Sequence, residues 1–370
     1  MVSLRERGPP LPTPEGRGEG EISKGEVNSG MKPEGPPDVR PALRDQGAFE
    51  ALTEPYRREL QVHCYRMLGS LTEAEDLVQE TLLRAWKSRR TYAGRAPVRA
   101  WLYKIATNAC VDELAMRPRR GLPASFFEPA DPLEAPAAPV LDPIWLEPYP
   151  DVLLSEPRLD PAARYDQRES IRMAFLVALH ELPPRQRSIL LLRDVLGWSA
   201  AEVAATLGLS ASSVTSALYR ARVTLSTRGN EEGCVAQAPE LEDPAERRLL
   251  ERYVSAWETA DIEGLTLLLK EDATFPMPPA PGWYRGRADI RAFVSATILQ
   301  GEARGRWRLL PTRANGRPAF GLYRRRDDRP GYAAFAIQVV RFEGGLVVDA
   351  TTFGFPQLFG RFGLPDELPG

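Results

Sequence analysis

A chain of 370 residues with 43% hydrophobic content is long enough for two or three separate cores, and its formal charge of −2 hides opposite local balances that leave a polyanionic partner open. Three cysteines, Cys64, Cys110 and Cys234, show no CxxC spacing and exclude a disulfide framework. No run of about 18 apolar residues exists and the N-terminus lacks an apolar signal core, so a cytoplasmic protein without membrane association is expected.

The first forty or so residues are rich in Pro, Gly and Glu and cannot bury enough surface to fold alone, so residues 1–43 are expected to form a disordered tail, with Met31 as a second candidate start. The stretch TEAEDLVQETLLRAW (72–86) then divides into two helical faces. Leu77, Val78, Thr81, Leu82, Ala85 and Trp86 form an apolar stripe, and Asp76, Gln79, Glu80, Leu83, Arg84 and Lys87 occupy the rest. Thr72 and Glu75 stand three apart and read as a capping box at the helix start. Downstream, Arg84, Lys87, Arg89, Arg90, Arg95, Arg99, Lys104, Arg117, Arg119 and Arg120 face only Asp112 and Glu113, with Trp86, Tyr92, Trp101 and Tyr103 interleaved. Cations suit a phosphate backbone and aromatic faces suit unstacked bases, so the mixture points to a melted or single-stranded nucleic acid.

EAEDLVQETLLRAW followed by APVRAWLYKIATNACVDEL resembles region 2 of the extracytoplasmic-function group of sigma-70-family initiation factors, almost without gaps from about Phe49 to Arg120. The resemblance implies that Asp76, Gln79, Glu80 and Arg84 grip the clamp of the RNA polymerase core. It also implies that Trp101, Tyr103 and Lys104, a loop beginning near Asn108, and Arg117 and Arg119 bind and melt the −10 promoter element. Asn108 is the expected base reader, because a flipped base must recover its unstacking cost by stacking and hydrogen bonding.

Residues 121–163 are proline-rich and acidic and read as a linker. Within it, IWLEPYPDVLL (144–154) is too apolar for a solvated tether, and Trp145, Leu146 and Tyr149 read as docking anchors. A helix from about Asp166 ends at Pro183-Pro184, and RQRSILLLRDVLG follows with Gly197 as its cap. SAAEVAATLGLSASSVTSALYRAR then has a helix-turn-helix layout: Ser199 and Glu202 form a capping box, Gly208 turns the chain and Ser210 caps the second helix. Val214 and Leu218 face inward, leaving Ser212, Ser213, Thr215, Ser216, Tyr219, Arg220 and Arg222 outward, where they can reach phosphates and base edges. The segment ELPPRQRSILLLRDVLGWS to YRAR is similar to sigma region 4, which implies −35 recognition and a seat on the polymerase flap. Many relatives carry basic residues where this chain has Thr215 and Ala217, which leaves Arg193, Arg220 and Arg222 to carry more phosphate contact.

Residues 229–242 read as a second linker, and 243–370 has an α+β pattern. Helices open at Asp243 and Asp261, a third runs from about Asp289 to Ile298, and four alternating segments follow with Gly344-Gly345 as a hairpin turn. ERYVSAWETADIEGLTLLLKEDATFPMPP and GRADIRAFV resemble the SnoaL-like group of the nuclear transport factor 2-like fold, a cone of three helices on a curved antiparallel sheet. That fold encloses a ligand cavity in many members and an active site in some. Both histidines, His63 and His180, lie outside this domain, and Asp272, Asp289 and Asp349 with Tyr284 or Tyr323 are the residues open to acid–base work. Helix caps and strand ends explain those aspartates without chemistry.

The expected protein is therefore multi-domain: an all-α region 2 bundle (44–120), an all-α region 4 helix-turn-helix (164–228) and an α+β SnoaL-like domain (243–370). The resemblance extends to a subgroup whose C-terminal extension modulates activity in place of a separate anti-sigma protein. It implies an alternative sigma factor, monomeric when free, whose partners are core polymerase, promoter DNA and a small ligand of the C-terminal domain, with no cofactor or metal. The alternative reading is a SnoaL-like enzyme or ligand sensor fused to a helix-turn-helix regulator.

Overall fold

The computed structural model describes residues 43, 45–94, 96–142, 144–154, 170–228, 244–301 and 303–370. The N-terminal tail, Arg95, the start of the helix expected from Asp166, and the 229–242 linker with Cys234 lie outside the described residues.

Four helices build the first module: α1 (Gln46–Thr53), α2 (Arg57–Leu68), α3 (Leu71–Ser88) and α4 (Val98–Leu114). Helix α2 is the central one, buried continuously from Val62 to Leu68, so its polar side chains need internal partners. A His63 ring nitrogen meets the Thr107 hydroxyl at 2.9 Å, and Arg66 donates to Ser170. Gly69 ends α2 with φ 73, a left-handed conformation that glycine adopts without strain. A Cβ there would collide with Leu146 and His180, because the linker and the second helical module both close onto this turn.

Helix α3 begins earlier than the Thr72–Glu75 capping box predicts. Ser70 is its N-cap and accepts from the Glu73 N–H at 3.2 Å. The expected box is replaced by tertiary contacts: Glu147 of the linker accepts from the Leu71 and Thr72 N–H groups at 2.8 and 3.1 Å, and Glu75 turns to Arg361 at 2.9 Å. A carboxylate supplied by the linker satisfies the free donors at the positive end of the helix, so a local one is not needed.

The segment 121–154 is folded onto the rest of the chain. Gly121 exchanges backbone bonds with Ile144 and Leu146 at 2.9 and 3.0 Å, and Trp145 packs between Phe126 and Phe127, each 6.2 Å away. Prolines remove N–H donors here, and two that remain reach the C-terminal domain, Ala130 N–H to the Trp283 carbonyl and Val140 N–H to the Pro279 carbonyl, while the Trp283 indole donates to the Phe127 carbonyl.

The second module comprises α5 (Met173–Glu181), α6 (Pro184–Leu190, continued by a π turn to Val195), α7 (Ala200–Leu207) and α8 (Ala211–Arg228). The Ser199–Glu202 capping box forms in both directions, at 2.7 and 3.2 Å, and Gly208 turns the chain at φ 68. The buried guanidinium of Arg187 from α6 crosses to the first module, donating to the Met67 carbonyl at the end of α2.

In the C-terminal domain, α9 (Pro244–Thr259), α10 (Ile262–Leu268) and α11 (Arg287–Phe293) accompany strands β1 (Leu269–Pro276), β2 (Trp283–Arg285), β3 (Trp307–Ala314), β4 (Arg317–Arg325), β5 (Tyr332–Glu343), β6 (Leu346–Phe353) and β7 (Glu367–Leu368). The sheet runs β2-β1-β6-β5-β4-β3, with β7 added to β5. Its β1–β6 pairing is parallel, which corrects the expectation of a wholly antiparallel sheet. Strand β1 was masked in the sequence by KED at its start, which interrupts the alternation of apolar and polar residues.

One turn joins everything. Asn315 and Gly316, at φ 53 and 72, form the tip of the β3–β4 hairpin, and Asn315 is fully buried among the helical modules. Its N–H donates to the Tyr149 carbonyl at 2.9 Å and its Oδ1 accepts from the Tyr149 N–H at 2.9 Å. Its Nδ2 donates to the Tyr65 hydroxyl of α2 at 3.0 Å and to the Ile171 carbonyl at 2.6 Å. Asn315→Gly keeps the left-handed turn and loses the side-chain bonds, while Asn315→Ala loses both, at roughly 1–3 kcal/mol for the orphaned polar groups and a further 1–3 for the backbone. The urea midpoint is expected to fall in the order wild type, Gly, Ala; equal midpoints would remove this turn from the stability of the fold.

Candidate nucleic-acid and partner interfaces

On α3, Val78, Thr81 and Ala85 are buried, while Leu77, Leu82 and Trp86 are half-buried. The opposite face presents Asp76, Gln79 and Arg84 to solvent, with Glu80 half-buried and paired to Arg84 at 2.7 Å. That bond holds the Glu80 carboxyl below the usual carboxylate range. Leu83 is 52% exposed in the middle of this face, an apolar contact surrounded by charge.

Helix α4 runs unbroken through Asn108, so the loop expected there does not exist; Lys104 and Asn108 are exposed on the helix flank. Trp101 is half-buried with its ring 4.9 Å from Tyr92. Tyr103 is withdrawn from the surface in this arrangement. It is buried, its ring lies 5.4 Å from Trp198 of the second module, and burial raises its phenol above the usual range. The basic run is also largely spoken for: Arg89 sits 3.5 Å over Trp86, Arg99 pairs with Glu59 at 2.8 Å, Arg117 and Arg120 both reach Glu73, and Arg119 reaches Glu181. The Arg117 and Arg119 pairs are part-exposed, so a phosphate can compete for them at little cost.

Along α8, Ser212, Ser213, Thr215, Ser216, Tyr219, Arg220 and Arg222 are exposed, and Val214 and Leu218 are buried. Ser210 accepts from the Ser213 N–H at 3.2 Å and bonds both neighbouring serine hydroxyls. Ala217 is buried, so it is a packing position and no basic residue is missing there. Arg222 is tied to Asp194 by two bonds of 2.9 and 2.7 Å. Arg193 is half-buried and donates to the Trp198 carbonyl, which makes it a brace of the hairpin before it is a phosphate ligand.

Of the anchors, Trp145, Leu146 and Tyr149 are all buried. Trp145 packs within its own segment with its indole on Val140, Leu146 lies against Gly69, and the Tyr149 ring lies tilted 4.7 Å from that of Tyr65 while its backbone pairs with Asn315. Sequence reasoning missed Glu147, Arg187, Trp198, Asn315 and Arg361. The Asn-Gly between two alternating strands is the signal that marks a hairpin tip, but nothing local shows that the tip is buried.

In the C-terminal domain Asp272 and Asp289 are exposed, and Asp349 bonds Thr274 and Thr351 at 2.5 and 2.8 Å while burial raises its carboxyl. Tyr284 stacks on Phe293 at 4.0 Å and Tyr323 bonds Pro365. None of these groups lines the cavity of about 360 Å³ in this domain.

The chain matches the Sigma-70 region 2 family over residues 52–120, Sigma-70 region 4 over 172–225 and the SnoaL-like domain over 250–350. It is 43% identical over 328 residues to the ECF RNA polymerase sigma factor SigG of Mycobacterium tuberculosis, spanning 89% of this chain and 87% of that one. This chain belongs to the extracytoplasmic-function sigma factors. The sigma factor SigJ of the same organism is 30% identical over 68% of this chain and 72% of its own. The crystal structure of the Mycobacterium tuberculosis SigJ shares its fold, with a TM-score of 0.54 at 24% identity over 85% of this chain and 99% of that one. As a sigma factor it acts by binding RNA polymerase core and promoter DNA and is not an enzyme. No helix among the described residues is long and apolar enough to cross a membrane.

Two outcomes follow for this sigma factor. Asp76→Ala with Glu80→Ala should abolish core association in a pull-down while changing stability by no more than about 0.5 kcal/mol per site, since exposed charges contribute little to folding; a normally binding double variant would reassign the face. Burial lowers both histidines, His63 to about 3 and His180 well below its ordinary value, with Arg66 and Arg187 respectively adding repulsion. Both stay neutral in the folded state, so their stabilising contribution is full above the unfolded value of about 6.5 and is lost as pH falls below it, by up to ~1.4 kcal/mol per pH unit for each. Urea midpoints should decline from about pH 7 to 5, less steeply in His180→Gln; a flat profile would show that the buried rings accept protons in place.

Proposed function

We propose that this sigma factor holds the polymerase clamp through Asp76, Gln79, Glu80 and Arg84, reads the −10 element with Lys104, Asn108 and the exposed edge of Trp101, and reads the −35 element with the outer face of α8, the second module seating on the flap. Its C-terminal domain governs these contacts and senses a small ligand. The modules are residues 44–120, 164–228 and 243–370, with linkers 121–163 and 229–242, and the protein works in the cytoplasm as a monomer until it meets core.

The observation that carries this reading is the buried Asn315 turn, which bonds the linker, α2 and the start of the second module at once. Promoter elements on a duplex demand a particular spacing of the two DNA-binding modules. In the docked arrangement Tyr103 and Trp198 hold α4 against the helix-turn-helix, which supports a closed state that competes with core. A junction that must open before polymerase binds lowers apparent affinity by the fraction of closed molecules, and weakening it by about 1.4 kcal/mol raises that affinity up to tenfold. Tyr149→Ala combined with Asn315→Ala is expected to raise affinity for core polymerase several-fold in fluorescence anisotropy, and to raise transcription at limiting factor. Unchanged or reduced affinity would mean that the C-terminal domain supports the active arrangement rather than restraining it.

A further inference from the structure

The cavity of the C-terminal domain uses none of the residues that make the junction. Its walls are aromatic: Trp257 meets Trp307 edge-on at 6.0 Å and 82°, and Trp307 meets Phe335 at 5.1 Å and 74°. The two tryptophans are buried, whereas Phe335 is 42% exposed and so stands at the mouth. Perpendicular rings of this kind offer a slot to a flat apolar body, and a volume of about 360 Å³ falls in the range of small-molecule sites.

Charge selects among flat molecules. Arg306 and Arg324 belong to the lining, and no carboxylate does among the described residues. Arg324 makes one exposed and long contact, 3.4 Å to Asp327, which an incoming anion can displace. Arg306 is half-buried and lines the cavity beside Trp307, and its guanidinium can bind a carboxylate through two N–H groups. Aromatic rings alone would equally welcome a cation, but two arginines at the same opening oppose one.

We propose that this cavity binds a planar aromatic carboxylate, its ring between Trp307, Trp257 and Phe335 and its carboxylate on Arg306 and Arg324. The assignment rests on the reading of the C-terminal domain as a ligand sensor and names the ligand class. The site also has a route to the junction. Trp307 and Arg324 are paired at one end of the β3–β4 hairpin, and Ala314 and Arg317 at the other flank the Asn315 turn. An occupant that shifts the open end of the hairpin bears on the end that enters the helical modules.

The test is direct binding of 2-naphthoate and of its uncharged analogue 2-naphthamide to the full chain, by calorimetry and tryptophan fluorescence, with wild type and Arg306→Gln/Arg324→Gln. Naphthoate should bind roughly tenfold or more tightly than naphthamide, the scale of one charge-assisted hydrogen bond, and the double variant should lose that preference while keeping naphthamide affinity and melting temperature. Equal binding of the two probes by wild type, a preference that survives in the double variant, or no naphthoate binding by wild type at millimolar concentration overturns the assignment. Core affinity without either probe reads the junction separately, so failure here leaves that control by the C-terminal domain to stand or fall on its own.

Discussion

The arrangement of this sigma factor depends on a single buried asparagine. Asn315 has no apolar surface worth burying, and its backbone sits in a conformation that most residues avoid. What it offers is four hydrogen bonds aimed at three separate parts of the chain: the Tyr149 backbone, the Tyr65 hydroxyl and the Ile171 carbonyl. Burial makes those bonds obligatory, because an unpaired polar group there costs more than the bond itself contributes. A turn of two residues can therefore specify a docking geometry that a hydrophobic patch of the same size could not, since apolar contacts tolerate sliding and hydrogen bonds do not.

Around this point the helical modules are closed by groups of the same kind. Arg187 carries a charge into the interior to reach a carbonyl at the end of α2, Arg66 answers from α2 toward Ser170, and Glu147 takes the N-terminus of α3. Desolvation lowers both arginines to about 10, far too little to neutralise them near neutral pH, so the interface is built on retained charge. Buried charge of this sort is a poor source of net stability but a severe penalty on misplacement. Such a combination favours one docking geometry over its near neighbours.

Much of this was legible in the sequence wherever the determinants are local. The helix-turn-helix announced itself through Ser199, Glu202, Gly208 and Ser210, each of which acts within four residues of itself. The apolar stripe of α3 and the four long strands follow from periodicity alone. The expectations that failed share one feature: the Thr72–Glu75 box, the loop beginning near Asn108 and the accessibility of Tyr103 all belong to positions whose surroundings are set by other parts of the chain. In each case a partner distant in sequence, Glu147, Trp198 or the helical core, decided the outcome. The sequence around 144–154 was apolar enough to mark a docked segment, but the identity of its partner at Asn315, 166 residues away from Tyr149, leaves no trace in either stretch.

That separation has a consequence for the order in which the protein comes into being. Region 2 and region 4 leave the ribosome first, and the hairpin that fastens them is encoded near the far end of the chain. At ~5–20 residues per second, the interval between completing Arg228 and completing Arg325 is on the order of five to twenty seconds. Throughout that interval the nascent chain carries both DNA-binding modules without the clasp. Each newly made molecule thus completes both helical modules before the turn that bonds to them exists, and docking of that turn is among the last contacts to form.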